Sequence, residues 1–172
     1  MTAQTILIES GFKPLLGEAP KVLILGTMPS VQSLKTQQYY GHPRNAFWWI
    51  MSELCGFDNA LSYSEKVSLI LKHNIAVWDV IASCYRPGSL DSKIDQNTVT
   101  LNCLSELLEK YPSIQLIAFN GQAAEKLYKK FIDENDWQGD KVILPSTSPA
   151  NAALTKENKL IKWLMIRSYF TD

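Results

Sequence analysis

The chain has few of the residues that build metal centres and disulfide frameworks. Among its 172 residues are three cysteines, Cys55, Cys84 and Cys103, and two histidines, His42 and His73. The cysteines are odd in number and show no CxxC spacing, which is typical of small core residues in a reduced compartment. No cysteine stands beside a histidine, so metal hydrolysis and thiol catalysis have little support. We therefore expect neither a metal ion nor another cofactor.

Net charge and long apolar segments are also missing. Seventeen basic and seventeen acidic residues cancel, so no global field draws the protein to nucleic acid or to an acidic membrane, and a polyanion must meet a local patch. The N-terminus lacks a basic region followed by an apolar run, and no apolar segment approaches the roughly 20 residues that span a bilayer. We expect a cytoplasmic, monomeric protein.

Four short apolar runs predict the strands of one sheet. They are "KVLIL" (21–25), "IAVWDVI" (75–81), "IQLIAF" (114–119) and "KVIL" (141–144). Segments with helical periodicity separate them, and such alternation favours parallel strands with right-handed crossovers. The predicted fold class is α/β, a three-layer α/β/α sandwich around a four-stranded parallel sheet. Residues 1–172 are predicted to form a single domain, with an irregular lead-in over 1–20.

Capping residues mark the predicted helices. Pro is tolerated in a first turn and Gly is favoured at a C-terminal stop, so a helix is expected from Pro43 to Gly56. Ser62 and Glu65 have the spacing of a capping box at the next helix. Three more helices are predicted. The first covers 99–111 after a cap at Asn97 or Thr98, the second starts at Gly121 and runs to 132, and the third covers 156–169.

Polar segments follow the ends of all four predicted strands. They are "GTMPSVQSLKTQQYYGHPRN", "WDVIASCYRPGSLDS", "FNGQ" and "LPSTSPAN". Ligands of open α/β sheets bind beyond the carboxyl ends of the strands. The first segment is far longer than the half-dozen residues of an ordinary connection, and long connections tend to be functional. We therefore expect the four segments to meet at one rim.

Amides and hydroxyls dominate this rim. They are Asn45, Asn120, Asn151, Ser146, Thr147 and Ser148, together with the strand-borne carboxylate Asp79. Such groups position a neutral hydrogen-bonding ligand or a water, and rings such as Tyr39, Tyr40 and Phe47 stack against a planar ligand. A serine triad has little support, because "PSTSPAN" lacks the GxSxG elbow.

The blocks "GTMPS", "QYYGHPRNAFWW", "VWDVIASCYRPGSLDS", "FNG" and "LPSTSPAN", in this order, resemble the uracil-DNA glycosylase superfamily. They are most similar to its hypoxanthine-DNA glycosylase branch, and the resemblance spans roughly residues 5 to 165. It implies a DNA glycosylase of base-excision repair, without cofactor, that flips a deaminated base out of damaged DNA. Glycosylases with a lyase step use an amine nucleophile, and because no lysine is singled out for that role, we expect a monofunctional enzyme. Hypoxanthine is the first candidate base, with xanthine or uracil also possible.

Two positions depart from the wider superfamily. Many members carry Asp or Asn before the first-loop Pro, where this chain has Met28 before Pro29. In the hypoxanthine branch the water-positioning role belongs to the Asn of "HPRN", which implies Asn45 as the catalytic residue here. Members that remove uracil efficiently often place His before the last Pro-Ser, where this chain has Leu144.

The rim chemistry and the resemblance together give a predicted site. The expected base pocket comprises Gly26, Thr27, Met28, Pro29, Tyr40, Phe47, Asp79 and Asn120. The expected DNA-binding residues are His42, Arg44, Ser146, Thr147, Ser148, Asn151 and Leu154, the last as a wedge into the base stack.

Structural interpretations stand beside these roles. Asn near a first helical turn is favoured as a cap, Asp79 can accept bonds from loop amides, and Leu154 can pack at a helix start. One functional alternative is a catalytically inert protein of the same fold that binds lesion DNA or a nucleotide. Another is a hydrolase or transferase that uses Ser146 or Ser148.

Overall fold

A computed structural model describes residues 7–132 and 137–170. The strands are β1 (Glu9–Ser10), β2 (Val22–Gly26), β3 (Ile75–Asp79), β4 (Ile81–Cys84), β5 (Thr100–Leu101), β6 (Leu116–Asn120) and β7 (Asp140–Leu144). The α-helices are α1 (Val31–Thr36), α2 (Phe47–Cys55), α3 (Tyr63–Lys72), α4 (Leu104–Lys110), α5 (Gln122–Phe131), α6 (Lys156–Trp163) and α7 (Arg167–Phe170). Short 3-10 turns lie at Asp91–Lys93, Gln96–Thr98 and Leu164–Ile166.

The main sheet has the order β3-β2-β6-β7 and all its pairs are parallel, which confirms the predicted four-stranded parallel sheet. The register places Gly26 beside Asp79 and Asn120 beside Leu144. The last residues of all four strands therefore lie at one edge of the sheet, and the loops that follow them start next to one another.

Helices cover both faces of this sheet. Val22 and Ile24 of β2 pack with α2, α3, α6 and α7, whereas Leu23 and Leu25 pack with α4 and α5. This alternation follows from the period of two in a strand, because both faces of a parallel sheet must be buried. The predicted three-layer α/β/α sandwich is confirmed.

The predicted strand 75–81 is wrong as a single element. The chain leaves the main sheet at Val80 and continues as β4, the central strand of a small antiparallel sheet with the order β1-β4-β5. Val80 and Ile81 donate backbone hydrogen bonds to the carbonyls of Gly26 and Thr27, at 2.9 and 3.0 Å. These two hydrogen bonds hold the start of β4 against the start of the loop that follows β2.

The lead-in covers an edge of the main sheet. Leu15 exchanges two backbone hydrogen bonds with Val77, at 2.8 and 3.1 Å, on the otherwise open side of β3. Covering an edge strand in this way removes a site for unwanted pairing. The predicted irregular lead-in thus contains a bridge and the short strand Glu9–Ser10, and residues 1–6 lie outside the described residues.

Local chemistry explains most helix boundaries. The capping box of Ser62 and Glu65 is confirmed, and Gly56 ends α2 with a φ of 74°. Gly121 precedes α5 as predicted. The start of α2 differs from the prediction, because Pro43 lies in a turn and the helix begins at Phe47.

Tertiary pairing explains the remaining differences. The helix expected over 99–111 begins only at Leu104, because Thr100 and Leu101 pair with β4 and the expected caps Asn97 and Thr98 lie in a 3-10 turn. Helix α1 was not predicted; Ser30 caps it by accepting a hydrogen bond from the Ser33 amide. The predicted last helix is divided into α6, a 3-10 turn and α7.

The cysteines do not all lie in the core. Cys84 is buried and Cys55 is half-buried, but Cys103 is exposed, so the expectation of a core position is wrong for Cys103. In the described part of the chain, no helix has the length and apolarity needed to cross a membrane.

Candidate functional site: a cleft at the carboxyl edge of the sheet

The loops that follow all four strands line one open cleft of about 610 Å³, which we call the main cleft. Most of the predicted site residues line it. These are Gly26, Thr27, Met28, Pro29, Tyr40, His42, Asn45, Asp79, Asn120, Ser146, Thr147, Ser148 and Asn151. The four polar segments that are distant in the sequence are therefore brought together, as their places at the strand ends predicted.

Gly26 allows two polar side chains to approach the cleft floor. A Cβ atom at Gly26 would lie 2.6 Å from Asp79 Oδ1 and 3.0 Å from Tyr40 Oη, which is too close for a larger residue. Asp79 Oδ2 and Tyr40 Oη are both buried, and Oδ2 has no hydrogen-bond partner in the described structure, whereas Asn120 is a hydrogen-bonding neighbour of Tyr40. Since buried polar groups are normally paired, the lack of a partner at Oδ2 singles out Asp79 on the cleft floor.

Two carboxylates set the electrostatics of the floor. Burial, followed by the nearby charge of Asp91, raises the pKa of Asp79 to about 7, although the charge of Arg86 acts against the rise. Burial also raises the pKa of Asp91, opposed by a hydrogen bond from Thr27 and by Arg86. At neutral pH a large share of Asp79 therefore keeps its proton and can donate as well as accept a hydrogen bond.

Arg86 holds the first loop from behind. Its guanidinium is fully buried, donates to the carbonyl of Pro29 and forms an ion pair with Glu9 at 3.3 Å. On the same side, Thr27 Oγ1 donates to Asp91 Oδ1 at 2.7 Å. The loop after β4 thus fixes the loop after β2 through one cationic side chain, Arg86, and one acidic side chain, Asp91.

Asn120 and Thr147 lock the opposite wall. Asn120 Nδ2 donates to Thr147 Oγ1 at 3.0 Å, and the Thr147 amide donates to Asn120 Oδ1 at 2.9 Å. Gly121 has a φ of 99°, in the region that favours glycine, and a Cβ there would lie 3.0 Å from Ser146 Cβ. The "FNG" and "PSTS" segments therefore pack as one rigid unit.

Helix α6 supports the last loop from below. Lys159 is buried and donates to the carbonyl of Ser148 at 3.2 Å, and Trp163 Nε1 donates to the carbonyl of Pro145 at 2.9 Å. The carbonyl of Thr147 accepts a hydrogen bond from the Ala46 amide at 3.0 Å. This last bond joins the "PSTS" loop to the start of α2, where the predicted catalytic residue lies.

Asn45 lines the main cleft and precedes the N-cap of α2, which is Ala46. Its Oδ1 accepts a hydrogen bond from the Phe47 amide at 2.9 Å, but the helix has no side-chain cap, so the interpretation of Asn45 as the cap is wrong. A carbonyl oxygen has two lone pairs, and one remains for a second donor such as water. The neighbouring His42 accepts a hydrogen bond from the Arg44 amide through Nδ1, at 3.1 Å, which leaves its proton on Nε2 when the ring is neutral.

Three predicted residues do not line the main cleft. Phe47 is fully buried and stacks under the Tyr40 ring at a centroid distance of 4.1 Å, so it supports the floor. Arg44 and Leu154 are exposed outside the main cleft. The placement of Phe47 in the base pocket is therefore wrong, because the helix start turns its ring into the core.

Other residues of the main cleft were not predicted. They are Ser30, Ser33, Ser89, Leu90, Asp91, Ser92, Pro149 and Ala150, whereas Tyr39, expected as a stacking ring, also lines the cleft. The run "PGSLDS" after β4 carried a signal for several of them, because it combines turn residues with a carboxylate. In the described part of the chain, no group of three or more His, Cys, Asp or Glu side chains has the arrangement of metal ligands.

Comparisons with known proteins point to one family. The family model described as the uracil DNA glycosylase superfamily matches residues 14–167. A protein named hypoxanthine DNA glycosylase from Methanosarcina acetivorans is 35% identical over 158 residues, which cover 91% of this chain and 96% of that protein. A protein of the same name from Methanosarcina barkeri is 32% identical over 152 residues, or 88% of this chain and 93% of that protein.

A solved structure shares the fold over nearly the whole chain. It is a solution NMR structure of a uracil DNA glycosylase candidate from Methanosarcina acetivorans, with a TM-score of 0.80 and 35% identity. The match covers 95% of this chain and 99% of the other. The resemblance read from the sequence blocks is confirmed, and the chain belongs to the uracil DNA glycosylase superfamily.

Proposed function

We propose that the protein is a monofunctional DNA glycosylase that removes a deaminated base, hypoxanthine first and xanthine or uracil as further substrates, in base-excision repair. Its curated relatives are named hypoxanthine DNA glycosylases. One observation carries the proposal, namely that Asp79 and Tyr40 line the main cleft and meet beside Gly26 at its floor, with Asp79 Oδ2 unpaired. Such a floor suits an uncharged ring with donors and acceptors on its edge.

The edge of hypoxanthine matches this floor. A six-ring lactam places an N–H donor beside a carbonyl acceptor, and a protonated carboxyl group offers one acceptor and one donor in return. The pKa of Asp79 near 7 makes that protonated form available at neutral pH. Adenine carries an amino donor where hypoxanthine has the carbonyl. A protonated carboxyl group can pair with either edge by exchanging the roles of its two oxygens, so Asp79 alone does not distinguish the deaminated base from its parent.

Extrusion of the nucleotide gives the enzyme access to the N-glycosidic bond. An enzyme that acts on a base takes the nucleotide out of the duplex and into a pocket. Cleavage at such a carbon passes through an oxocarbenium-like state, in which a cationic sugar separates from a departing base anion. A neutral Asp79 stabilises that anion through a donated hydrogen bond, whereas an ionised Asp79 would repel it.

The second requirement is a water molecule held beneath the sugar. Asn45 lies at the wall of the main cleft, and its Oδ1 keeps one lone pair beyond the bond from Phe47. In this mechanism Oδ1 accepts a hydrogen from the water and turns its oxygen toward the carbon that loses the base. Because the transition state already carries positive charge on the sugar, a strong nucleophile is unnecessary.

The composition of the main cleft supports a single hydrolytic step. Glycosylases with an added lyase step use an amine nucleophile, and no lysine is found among the described residues that line this cleft. Ser146 and Ser148 do not resemble activated nucleophiles, because the recorded partners of their Oγ atoms are the backbone amides of Ser148 and Ala150. The serine-hydrolase alternative therefore has little support.

We assign contacts with the DNA backbone to residues at the rim of the main cleft. Ser146 and Ser148 offer hydroxyl donors and Asn151 a side-chain amide to phosphates near the flipped nucleotide, while the buried Thr147 holds this loop through Asn120. Much of protein–DNA hydrogen bonding goes to the backbone. Arg44 and Leu154 are exposed beyond the main cleft, where a cation meets a phosphate and an apolar side chain wedges into the stack.

A panel of oligonucleotide duplexes tests the proposal. Strands bearing deoxyinosine, deoxyxanthosine, deoxyuridine or a G·T mismatch are incubated with the protein in the presence of a metal chelator, then cleaved with alkali at abasic sites. We expect strand cleavage for deoxyinosine and detection of free hypoxanthine by chromatography. Intact strands for every lesion, in single-stranded as well as duplex form, would overturn the proposal.

The same panel tests the alternative that the protein binds lesion DNA without catalysing base release. Met28 favours that alternative, because this buried thioether occupies the place where many members carry Asp or Asn. The alternative predicts tight binding of the deoxyinosine duplex without release of base. Release that disappears in Asn45→Ala would exclude it.

A further inference from the structure

A second cleft of about 330 Å³ lies on the other side of the His42–Asn45 loop. Gln38, Tyr40, Gly41, His42, Pro43, Asn45, Trp48, Trp49, Asn59, Leu61, Tyr63 and Lys66 line it. Three of these residues, Tyr40, His42 and Asn45, also line the main cleft. The two clefts are therefore separated by one layer of side chains.

The charge of the second cleft is opposite to that of the main cleft. Its described lining contains Lys66 and no carboxylate, whereas the main cleft contains Asp79 and Asp91 and neither lysine nor arginine. Lys66 Nζ contacts Asn59, at 3.2 Å to the carbonyl and 3.4 Å to Oδ1, and lies 5.5 Å from the centroid of the Trp48 ring. Neither Asn59 nor Trp48 is acidic, so these contacts leave the positive charge of Lys66 without a counter-charge.

Several other groups in the second cleft are set as donors. Asn59 uses Oδ1 to accept from Lys66, so its Nδ2 is free to donate to a ligand. Tyr63 Oη accepts from the Tyr39 amide at 3.0 Å, which leaves its hydroxyl hydrogen available. His42 keeps its proton on Nε2 when neutral, because Nδ1 accepts from Arg44. A lining of donors around an unneutralised ammonium group suits an anion.

We propose that the second cleft binds one backbone phosphate of the DNA strand that carries the lesion, with Lys66 as the charged ligand. The inference rests on the proposed function, since a nucleotide held in the main cleft has its own phosphates at the mouth of that cleft. Lys156 adds a second cation nearby, with Nζ 4.5 Å from the centroid of the Trp49 ring that lines the second cleft. A protein of zero net charge needs such a local patch to hold a polyanion.

The salt dependence of DNA binding tests this assignment. Each phosphate neutralised by a protein cation contributes about 0.9 to the slope of log Kobs against log salt on duplex DNA. We expect Lys66→Met to lower the slope by about one contact, so that its affinity falls roughly 3.5-fold less than that of the wild type between about 50 and 200 mM salt. Lys66→Arg, which keeps the charge, is expected to restore the slope.

Lys72 provides the matched control. It is an exposed lysine on the same helix, α3, and does not line the second cleft. Lys72→Met is expected to keep the wild-type slope. Lys66→Gln is a second neutral variant that retains a hydrogen-bonding end, and its slope should match that of Lys66→Met.

The outcomes separate this inference from the proposed function. Release of hypoxanthine by the wild type, together with equal slopes for Lys66→Met, Lys66→Gln and Lys72→Met, would overturn the phosphate site alone. A wild type that binds the deoxyinosine duplex but releases no base would overturn the proposed activity, while a reduced slope in both neutral Lys66 variants would still support the site. A wild type without measurable affinity for DNA would overturn both.

Discussion

The two clefts that share the His42–Asn45 loop differ in the charges of their linings. The main cleft holds Asp79 and Asp91 at its floor, and the second cleft holds Lys66. In the proposed mechanism the protonated Asp79 faces an uncharged ring at the floor of the main cleft, whereas the Lys66 ammonium group among donors attracts phosphate. A protein without net charge can thus sort the two parts of one nucleotide by local electrostatics alone.

The difference also shows in how each lining is supported. The polar atoms of the main cleft are fixed by pairs such as Asn120 with Thr147, but Asp79 Oδ2 is left unpaired. In the second cleft, Lys66 is half-buried and rests on Asn59 and Trp48. Recognition of a base needs rigid atoms with defined directions, while a phosphate contact depends mainly on charge.

The largest expected effect is at Asn45, which borders both clefts. Asn45→Ala removes the proposed water-holding oxygen, and loss of one preorganised polar group at a reaction centre costs about 100- to 1,000-fold in rate. Single-turnover release of hypoxanthine from a deoxyinosine duplex measures this loss. DNA affinity should change little, because the charged contacts remain.

A second variant separates catalysis from local stability at this position. Asn45→Ala also removes the hydrogen bond that Oδ1 accepts from the Phe47 amide, and such a bond contributes about 1 kcal/mol to the free energy of unfolding. Asn45→Ser can keep an acceptor for this amide but lacks the side-chain amide, so we expect near-normal thermal stability with low activity. Full activity in Asn45→Ser would show that Asn45 only holds the start of α2.

The next largest effect is expected at Gly26, which belongs to the main cleft alone. Gly26→Ala places a Cβ 2.6 Å from Asp79 Oδ1 and 3.0 Å from Tyr40 Oη, so both side chains must move. We expect at least a 10-fold lower rate of base release, with the salt dependence of binding unchanged. Gly11→Ala is the control, because a Cβ there meets its neighbours at an ordinary 3.5 Å. Equal rates in the two variants would show that the floor does not contact the base.

The pH profile of base release gives a smaller and sharper effect. With a pKa of about 7, Asp79 is protonated below this pH and ionised above it. Because the proposed mechanism uses the protonated form, the wild-type rate at saturating DNA should fall several-fold as pH rises from about 6 to 8. Asp79→Asn, which stays neutral, should retain activity and lose this step. A step that persists in Asp79→Asn belongs to another group.

The same carboxyl group affects stability in a defined direction. Its pKa is raised from 3.8 to about 7 on folding, so the native state holds a proton that the unfolded state releases between these values. The contribution of Asp79 to stability therefore decreases as pH rises from about 4 to 7, by roughly 1.4 kcal/mol for each unit of pH. Relative to the wild type, Asp79→Asn should gain several degrees in Tm between pH 4 and pH 8.

Asp91 provides the internal reference for that measurement. It remains in both proteins, so its own raised pKa affects both melting curves in the same direction. A constant difference in Tm across this pH range would mean that Asp79 titrates at its ordinary pKa and that its burial is compensated.

Much of the fold followed from local patterns. Apolar runs predicted the four parallel strands, and cap residues such as Ser62, Gly56 and Gly121 predicted helix ends, because both depend on neighbours in the sequence. The break at Val80 was not predicted, since one apolar run continues through it while the chain changes sheets. Only the pairing of β4 with distant segments reveals that break.

The site shows the same division between local and distant causes. Polar loops at strand ends predicted most of the residues that line the main cleft, including Asp79 and Asn45. The inward turn of Phe47, the buried support by Arg86 and the part of Asp91 in raising the pKa of Asp79 depend on contacts over many residues. The second cleft was not predicted, because Lys66 follows the capping box of Ser62 and Glu65 and its sequence context indicates only a solvated helix residue.

A double-mutant cycle between protein and DNA tests the division of the two clefts most directly. Each phosphate near a deoxyinosine is replaced in turn by an uncharged methylphosphonate, and Kd is measured for the wild type and for Lys66→Met. The account predicts one position at which the neutral linkage weakens binding of the wild type several-fold and leaves binding of Lys66→Met unchanged. The account would be contradicted if the losses of binding free energy from the neutral linkage and from Lys66→Met were additive at every position.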